Sequence, residues 1–305
     1  MSSDIIQEGD AVVLYFSIST VILVPSIKAD GVTHNAWGYF GHGNIIGKAF
    51  GSKVFPCLRS ENPRPVHVLP VTAELFTLSI PHRTQIIYHA DITAIVAGLN
   101  ILPGAVVAEA GTGSASLSYS IADIVAPTGC LFTFDVDPSR VAHNVELLSQ
   151  VSSPGVVKVE LRDVIRNGFP SDLPPVDAVF LDLPSPWLVV SHAKQILKEN
   201  GRICTFSPAI EQVTKNVHAL CENGFHQLKT VEVMLKPWGL DKPELPGTKR
   251  KRDPAQLPSA SFQLPMRGHT SYLTFAVKGL VDEGEYPKPV LSVTEVRKLL
   301  GSAKP

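Results

Sequence analysis

Hydrophobic and polar positions between residues 76 and 235 alternate in a regular way. Short β-branched apolar runs are followed by longer amphipathic stretches. The apolar runs predict six strands: Val106–Ala110, Leu131–Asp135, Val156–Leu161, Asp177–Asp182, Arg202–Phe206 and Leu228–Met234. Alternation of strands and helices is typical of a mostly parallel sheet with helices on both faces. We therefore predict an α/β fold with a doubly wound sheet.

Two of the intervening stretches show clear helix signals. Pro138–Gln150 begins with a proline, which fits the first turn of a helix. Trp187–Asn200 is followed by Gly201, and an Asn-Gly pair commonly ends a helix. Both stretches are predicted to be helical.

The first 75 residues follow a different pattern, and we predict that residues 1–75 form a small β-domain. Short apolar runs occur at Ala11–Phe16, Thr20–Pro25 and Val66–Leu69. Turn signals interrupt them, including the Ala-Asp-Gly run that ends at Gly31. Short apolar runs separated by turns predict short strands. No catalytic constellation is visible in this region.

The last part of the chain interrupts the sheet and then completes it. Residues 236–268 are rich in proline and contain the basic run Lys249–Arg252, so they read as an insert of loop or linker. Ser271–Val277 predicts a seventh strand, which completes the sheet of a domain at residues 76–278. Residues 279–305 read as a peripheral tail.

Composition narrows the class of protein only slightly. Hydrophobic residues make up 44% and charged residues 18% of the 305, which suits a packed core, and the formal net charge is −1. The charge alone neither predicts nor excludes nucleic-acid binding, which needs a local basic patch. The four cysteines include no C-x-x-C pair, so we expect no metal site and a reducing compartment. No apolar run is long enough for a membrane span, and we expect no membrane partner.

The most informative stretch is VVAEAGTGSAS, from Val106 to Ser116. An apolar strand ends in a glycine turn, where Gly111 and Gly113 permit a tight turn and close approach of a ligand to the backbone. The following helix start offers free N–H donors. Such loops bind a dinucleotide or S-adenosylmethionine, although glycines can also serve any tight turn.

Three flanking features favour S-adenosylmethionine. Glu109 suits a cationic ligand group and would repel a pyrophosphate. Ser116 stands where the dinucleotide fingerprint has a glycine. Asp135 ends the next strand, where an acid can accept hydrogen bonds from ribose hydroxyls, although this holds for NAD as well. Asp163 follows the third strand and is either an acceptor for the adenine amino group or an ordinary turn residue.

A second loop, Asp182–Trp187, reads DLPSPW. Asp182 ends a buried strand, on the side of the sheet where folds of this class bind ligands. Pro184 and the next proline stiffen the loop, and Trp187 supplies a flat apolar surface. An acid beside a rigid loop and an aromatic ring can hold a planar base that carries an amino group. The plainer alternative makes Asp182 a helix cap and Trp187 a core residue.

In these two loops and several other segments, the chain resembles the catalytic subunits of eukaryotic tRNA (adenine-58-N1)-methyltransferases, which are class I S-adenosylmethionine-dependent methyltransferases. The resemblance runs from the N-terminal region through Val277. The segments that carry it are Phe50–Lys53, Pro81–Tyr88, Glu109–Ser116, Asp182–Trp187, Phe206–Pro208, Ile210–Val213, His269-Thr270 and Tyr272–Phe275. The PHRTQI and DLPSPW segments are specific to this family and its archaeal and bacterial relatives, whereas the glycine loop is shared by class I methyltransferases.

The resemblance implies a seven-stranded methyltransferase sheet and a set of site residues. It implies that Asp135 and Arg140 face the ribose, that Asp163 and Val164 face the adenine, and that Asp182 is catalytic, lying at the transferred methyl group and the target base. The cofactor-binding residues that it implies are Gln85, Ile87, Glu109, Gly111, Gly113, Ser114, Ala115, Ser116, Asp135, Arg140, Asp163, Val164 and Asp182. The candidate substrate residues are Pro184, Trp187, His82, Arg83 and His269.

The family also implies an assembly and a location. It works on tRNA together with a paralogous non-catalytic RNA-binding subunit, in a two-plus-two heterotetramer. It is mostly nuclear, which agrees with the basic run Lys249–Arg252. His82 and Arg83 either contact RNA phosphate or simply join the small β-domain to the sheet.

Two positions depart from the family pattern. Its glycine loop usually has a third glycine where this chain has Ala115, and a methyl group there would crowd the ligand if the position needs a positive φ. The ribose acid is usually Glu, and Asp135 is shorter by one methylene. Both changes are expected to weaken cofactor binding, but Asp182 and its rigid loop are intact, so we expect an active enzyme.

Three other functions remain as alternatives. A catalytically impaired paralogue that binds RNA or a partner is kept open by Ala115 and Asp135. A NAD-dependent oxidoreductase is disfavoured by Glu109 and Ser116, and the sequence lacks a Tyr-x-x-x-Lys pair. Methylation of a protein or small molecule is excluded only by the family resemblance.

Overall fold

A computed structural model describes residues 5–17, 19–57, 64–81, 84–235, 238–240, 260–262 and 271–279 of the chain. The N-terminal region consists of short antiparallel strands: β1 (Val12–Ser17), β2 (Thr20–Val24), β3 (Val32–Asn35), β4 (Gly38–Gly41), β5 (Lys53–Val54) and β6 (Val66–Pro70). Four of them form a sheet in the order β2-β1-β6-β5, and β3 pairs with β4. Their apolar side chains enclose a small core of their own around Leu14 and Phe40.

The rest of the described chain alternates helices and strands. The helices are α1 (Ala73–Ser79), α2 (His89–Leu99), α3 (Ser116–Val125), α4 (Pro138–Val151), α5 (Val164–Asn167), α6 (Val190–Ile196) and α7 (Ile210–Glu222). The strands are β7 (Val106–Ala110), β8 (Cys130–Asp135), β9 (Val157–Leu161), β10 (Val176–Leu181), β11 (Leu197–Ser207), β12 (Phe225–Glu232), β13 (Trp238–Leu240), β14 (Ala260–Phe262) and β15 (Tyr272–Lys278).

Seven of these strands form one sheet in the order β12-β15-β11-β10-β7-β8-β9. The pairs from β11 to β9 are parallel, and β15 lies antiparallel between β11 and β12. The chain order reverses between β7 and β10, and crevices at such switch points bind ligands beyond the carboxyl ends of the strands. The predicted seven-stranded doubly wound sheet, with small antiparallel strands before it, is confirmed.

Each face of the large sheet has its own hydrophobic core. On one face α2 and α3 pack on the sheet through Ile95 and Ile121, which are fully buried. On the other face α6 and α7 pack on it through Val190 and Leu220. The strands between them, such as β10 with Phe180 in one core and Leu181 in the other, are therefore apolar on both sides.

The predicted strands and the helix at Pro138 agree with the structure to within a few residues, but the predicted helix Trp187–Asn200 is wrong at both ends. Residues 186–188 form a 3-10 turn and α6 ends at Ile196. Leu197 already pairs with Val176, and Asn200 has a positive φ of 62° within an irregular part of β11. The Asn-Gly pair thus bends a strand and does not end a helix.

Most of the predicted insert and tail cannot be compared with the structure. Residues 241–259 and 263–270, including Lys249–Arg252, lie outside the described residues, as do residues 280–305. Within the insert, β13 and β14 pair antiparallel. No helix in the described part of the chain is long and apolar enough to cross a membrane.

Candidate active site

The glycine loop follows β7 at the switch point of the sheet, and its glycines permit close contacts. Gly111 has a φ of +97°, and a Cβ atom there would collide with the carbonyl oxygen of Asp182. Gly113 has a φ of +55°, and a Cβ atom there would come within 2.9 Å of Thr84 Oγ1. The loop is therefore held between the Asp182 loop and Thr84, and larger residues at these two positions are excluded.

Ala115 has the positive φ, 65°, at which a glycine would be unstrained. Its methyl group is fully buried in a cluster that includes Phe76 and Leu148. Its backbone N–H donates to Thr112 O, and its carbonyl accepts from Tyr119 N. The expectation that this methyl group crowds the ligand, and that Ala115 lines the site, is thus wrong: the left-handed backbone turns the methyl group away from the cleft.

Glu109 lies beneath the loop and is almost completely buried, with 1% of its surface exposed. Ser118 Oγ donates to its Oε2 at 2.5 Å, and Thr133 Oγ1 donates to the same atom at 2.7 Å. Burial raises the pKa of Glu109 to about 7, although both hydroxyl bonds lower it. Among the described residues no cation pairs with this carboxylate.

Asp135 ends β8 and is 5% exposed. The Arg140 guanidinium donates to its Oδ1 at 2.7 Å, and the backbone N–H groups of Asp137 and Gly113 each donate at 3.0 Å. Burial raises the pKa of Asp135, but the hydrogen bonds from these donors outweigh it, so the pKa lies below the ordinary value. A ribose hydroxyl would have to share Asp135 with Arg140, a contact that the sequence did not reveal.

Asp163 and Val164 follow β9 on the same side of the sheet. Asp163 caps α5: its Oδ1 accepts from the N–H groups of Ile165 at 3.0 Å and Arg166 at 3.1 Å. The hydrogen bonds of Asp163 are thus those of a turn residue, the plainer of the two predictions. Asp163 and Val164 nevertheless also face the cleft.

Asp182 follows β10 directly beside the glycine loop. Its N–H donates to Ala110 O at 2.9 Å, which continues the pairing of β10 with β7. Burial, and secondarily the negative charge of Asp135, raise the pKa of Asp182 to about 6. A carboxyl group with this pKa is largely ionised at neutral pH but gains a proton readily.

The loop after Asp182 places one candidate substrate residue in the cleft and another outside its lining. Pro184 faces the cleft, as expected of a substrate residue. Trp187 does not line the cleft among the described residues; the 3-10 turn that contains it contacts α7, and Lys215 Nζ lies 4.6 Å from its ring centroid. That Trp187 is a substrate residue stays a prediction, with Lys215 placed over one face of its ring.

These residues surround one cleft of about 460 Å³, within the range of small-molecule sites. A smaller space of about 20 Å³ adjoins it beneath the glycine loop. Predicted site residues that line either space are Gln85, Ile87, Glu109, Gly111, Gly113, Ser114, Ser116, Asp135, Arg140, Asp163, Val164, Asp182 and Pro184. His82, Arg83 and His269 lie outside the described residues.

Several lining or supporting residues were missed from the sequence. Thr84 Oγ1 lies 3.0 Å from Ser114 Oγ, and its place in the PHRTQI segment was the signal that could have found it. Asn144 Nδ2 donates to Gly113 O at 3.0 Å, and Arg162 Nε donates to Gly168 O at 2.7 Å. Asn144 holds the glycine loop from a distance in sequence that no local pattern reveals, and Arg162, which itself lines the cleft, closes the turn between β9 and Gly168.

The charge of the cleft fits a cationic ligand such as S-adenosylmethionine. Glu109 is buried and Asp182 is half-buried, neither forms an ion pair among the described residues, and both have raised pKa values. A buried carboxylate without a partner is costly, and a positively charged ligand offsets that cost. Within the described residues no group of three or more side chains is arranged to hold a metal ion.

The sheet order and this cleft are those of the class I S-adenosylmethionine-dependent methyltransferase fold. Two solved structures with the same fold support this assignment. A SAM-dependent O-methyltransferase from Thermotoga maritima matches with a TM-score of 0.73 and 25% identity, over 92% of this chain and 97% of that one. The tRNA (m1A58) methyltransferase TrmI from Aquifex aeolicus matches with a TM-score of 0.65 and 22% identity, over 90% and 98% of the two chains.

Sequence comparisons define the family. A family model described as "tRNA methyltransferase complex GCD14 subunit" matches residues 64–260. The tRNA (adenine(58)-N(1))-methyltransferase catalytic subunit TRM61 of Candida albicans is 39% identical over 241 residues, 78% of this chain and 70% of that protein. The corresponding subunit trmt61a of Dictyostelium discoideum is 37% identical over 239 residues, 76% and 74% of the two. The chain belongs to the GCD14 family of tRNA methyltransferase complex subunits.

Proposed function

We propose that this chain transfers a methyl group from S-adenosylmethionine to N1 of adenine 58 in the T-loop of tRNA. The observation that carries the proposal is Asp182, a half-buried carboxyl group between the glycine loop and a proline-stiffened loop, facing a cleft that suits a cation. The related catalytic subunits, with 37–39% identity, support the choice of reaction and substrate. They give no support to a catalytically impaired paralogue.

The residues of the cleft divide into those that hold the cofactor and those that hold the base. S-adenosylmethionine supplies, when bound, a methyl group made electrophilic by its sulfonium. Glu109 and the N–H groups at the start of α3 hold its amino-acid end, and Asp135, shared with Arg140, holds the ribose. Asp163 and Val164 border the space for its adenine.

Asp182 orients the target base and stabilises the charge that the base acquires. Its carboxylate accepts a hydrogen bond from the adenine N6 amino group, which places N1 in line with the methyl group. Alkylation at N1 puts positive charge on the ring, and a carboxylate in a buried site stabilises that charge more strongly than it would in water. Because the base reacts with the methyl group directly, positioning supplies much of the catalysis. The base must leave its stack to reach the cleft.

We further propose the assembly and location that the family resemblance implies. The chain works with a paralogous, non-catalytic RNA-binding subunit in a two-plus-two heterotetramer, and the complex is nuclear. The family description as a subunit of a tRNA methyltransferase complex supports the partner, and the basic run Lys249–Arg252 supports nuclear import.

The Asp182→Ala variant tests the role of the carboxylate. We expect turnover to fall about 10²–10³-fold, the typical cost of removing a group that stabilises developing charge. Cofactor affinity is expected to change by less than about tenfold, because Glu109 and the glycine loop remain. Turnover is measured with unmodified tRNA and affinity by calorimetry; turnover at the wild-type rate would refute this role.

A further inference from the structure

The loop that carries the candidate catalytic carboxyl group is held by the sheet at one end only. Asp182 N–H donates to Ala110 O, and the Asp182 carbonyl packs against Gly111. Beyond Asp182 the chain leaves the sheet. Pro184 and Pro186 have no backbone N–H and therefore cannot anchor the loop by donating hydrogen bonds.

Gln212, in the first turn of α7, provides the anchor at the other end. Its Nε2 donates to the carbonyl oxygen of Pro184 at 3.3 Å, and its Oε1 accepts from the N–H of Ala209 at 3.4 Å. The next two carbonyls of the loop are occupied locally, since Ser185 O accepts from Leu188 N and Pro186 O from Val189 N. Among the hydrogen bonds of the described residues, the one to the Pro184 carbonyl therefore ties this loop to α7.

A second contact between α7 and the loop lies one helical turn further along. Lys215 is three residues after Gln212, so both side chains are on the same face of the helix. Lys215 Nζ lies 4.6 Å from the ring centroid of Trp187, a cation–π distance. Gln212 and Lys215, on one face of α7, therefore contact the loop on both sides of Pro186, at Pro184 and at Trp187.

We propose that Gln212 is a positioning residue for methyl transfer: through Pro184 it fixes the distance between the rigid loop and Asp182, and so the placement of the target base. The proposal rests on the proposed function. Gln212 does not line the cleft among the described residues, whereas Pro184 and Asp182 do. Its effect is therefore on the geometry of the base and not on the binding of the cofactor.

The Gln212→Glu variant separates the two hydrogen bonds of this side chain. Glutamate has the same shape and keeps the acceptor for Ala209 N–H, but it has no donor for the Pro184 carbonyl. Thr214→Glu is the matched control: it adds the same charge to the same helix at an exposed position whose hydroxyl donates to Ile210 O in the helix itself. Both variants are assayed in the complex with the partner subunit, on unmodified tRNA.

We expect Gln212→Glu to lower kcat about tenfold or more, because small misplacements of reacting groups are costly. Its melting temperature, its affinity for S-adenosylmethionine and its KM for the cofactor should equal those of Thr214→Glu. Wild-type kcat in Gln212→Glu would overturn the proposal, and so would parallel losses of kcat, cofactor affinity and melting temperature, which indicate a merely structural role. A wild-type complex that makes no 1-methyladenosine would instead refute the underlying function, and this inference with it.

Discussion

Two carboxyl groups, the buried Glu109 and the half-buried Asp182, give the cleft its chemical character. Partial or complete removal from water raises their pKa values to about 7 and about 6, and each carboxyl group also feels the negative charge of Asp135. A neutral ligand would leave these charges uncompensated, whereas a sulfonium or ammonium group would stabilise them. This charge arrangement, more than the glycine loop, separates a methyl-donor site from a dinucleotide site.

The raised pKa values predict that cofactor binding depends on pH. The cation favours the carboxylate forms of Glu109 and Asp182, so binding near pH 6 releases protons, and affinity rises as the pH increases from 5 to 7. Protonation of Glu109 weakens binding by up to about tenfold per pH unit below its pKa, whereas protonation of Asp182 weakens it by less than about tenfold in all, as expected for Asp182→Ala. Calorimetry over this pH range checks the prediction. Glu109→Gln should flatten the upper part of the curve, and a pH-independent affinity in the wild type would contradict the account.

Ala115 shows how a departure from a family pattern is misjudged from sequence. We expect Ala115→Gly to change cofactor affinity by less than twofold, because the methyl group packs away from the cleft. The variant relieves a left-handed alanine, which gains about 1–2 kcal/mol, but loses a buried methyl group and gains freedom in the unfolded chain, which together cost a similar amount, so stability should change by less than about 1 kcal/mol.

The neighbouring Gly113→Ala is the reverse exchange at a position that lines the cleft, where the new methyl group meets Thr84. It should weaken cofactor binding clearly, as measured in the same calorimetric experiment. A large gain in affinity from Ala115→Gly would show that the alanine does crowd the ligand.

Elements were predictable from sequence where the pattern is local. The run from β7 through the glycine loop into α3 has an apolar strand, two glycines and a helix start in direct succession, and its strand bounds agree with the structure. The long helix expected at Trp187–Asn200 failed because Leu197 is recruited into β11 by pairing with Val176. Pairing between distant strands overrides a local Asn-Gly signal.

In the candidate site, too, features that follow from local sequence patterns were predictable, whereas contacts between distant elements were not. The ends of β7, β8, β9 and β10 were expected to meet, and residues from all four line one cleft. What sequence could not reveal are contacts between elements far apart in the chain, such as Gln212 with Pro184, Lys215 with Trp187, and Asn144 with Gly113. Only the arrangement of the helices on the sheet creates them.

At the scale of the whole molecule, the chain has a formal net charge of −1 and therefore little general electrostatic attraction to a polyanion such as tRNA. In the proposed assembly, the paralogous subunit supplies the affinity for tRNA and this chain supplies the cleft. The family match to residues 64–260 includes β6 and six of the seven strands of the large sheet, from β7 to β12, whereas β1 to β5 lie before it.

The most direct test of this account follows the methyl group itself. The chain, with and without the paralogous partner subunit, is incubated with unmodified tRNA and methyl-labelled S-adenosylmethionine, and the label is located by nuclease digestion and mass spectrometry. A tRNA with uridine at position 58 serves as the control. The account predicts label as 1-methyladenosine at position 58, only with the partner present, and none in the control tRNA. Cofactor binding without any label in the presence of the partner, or label at another nucleotide, would contradict it.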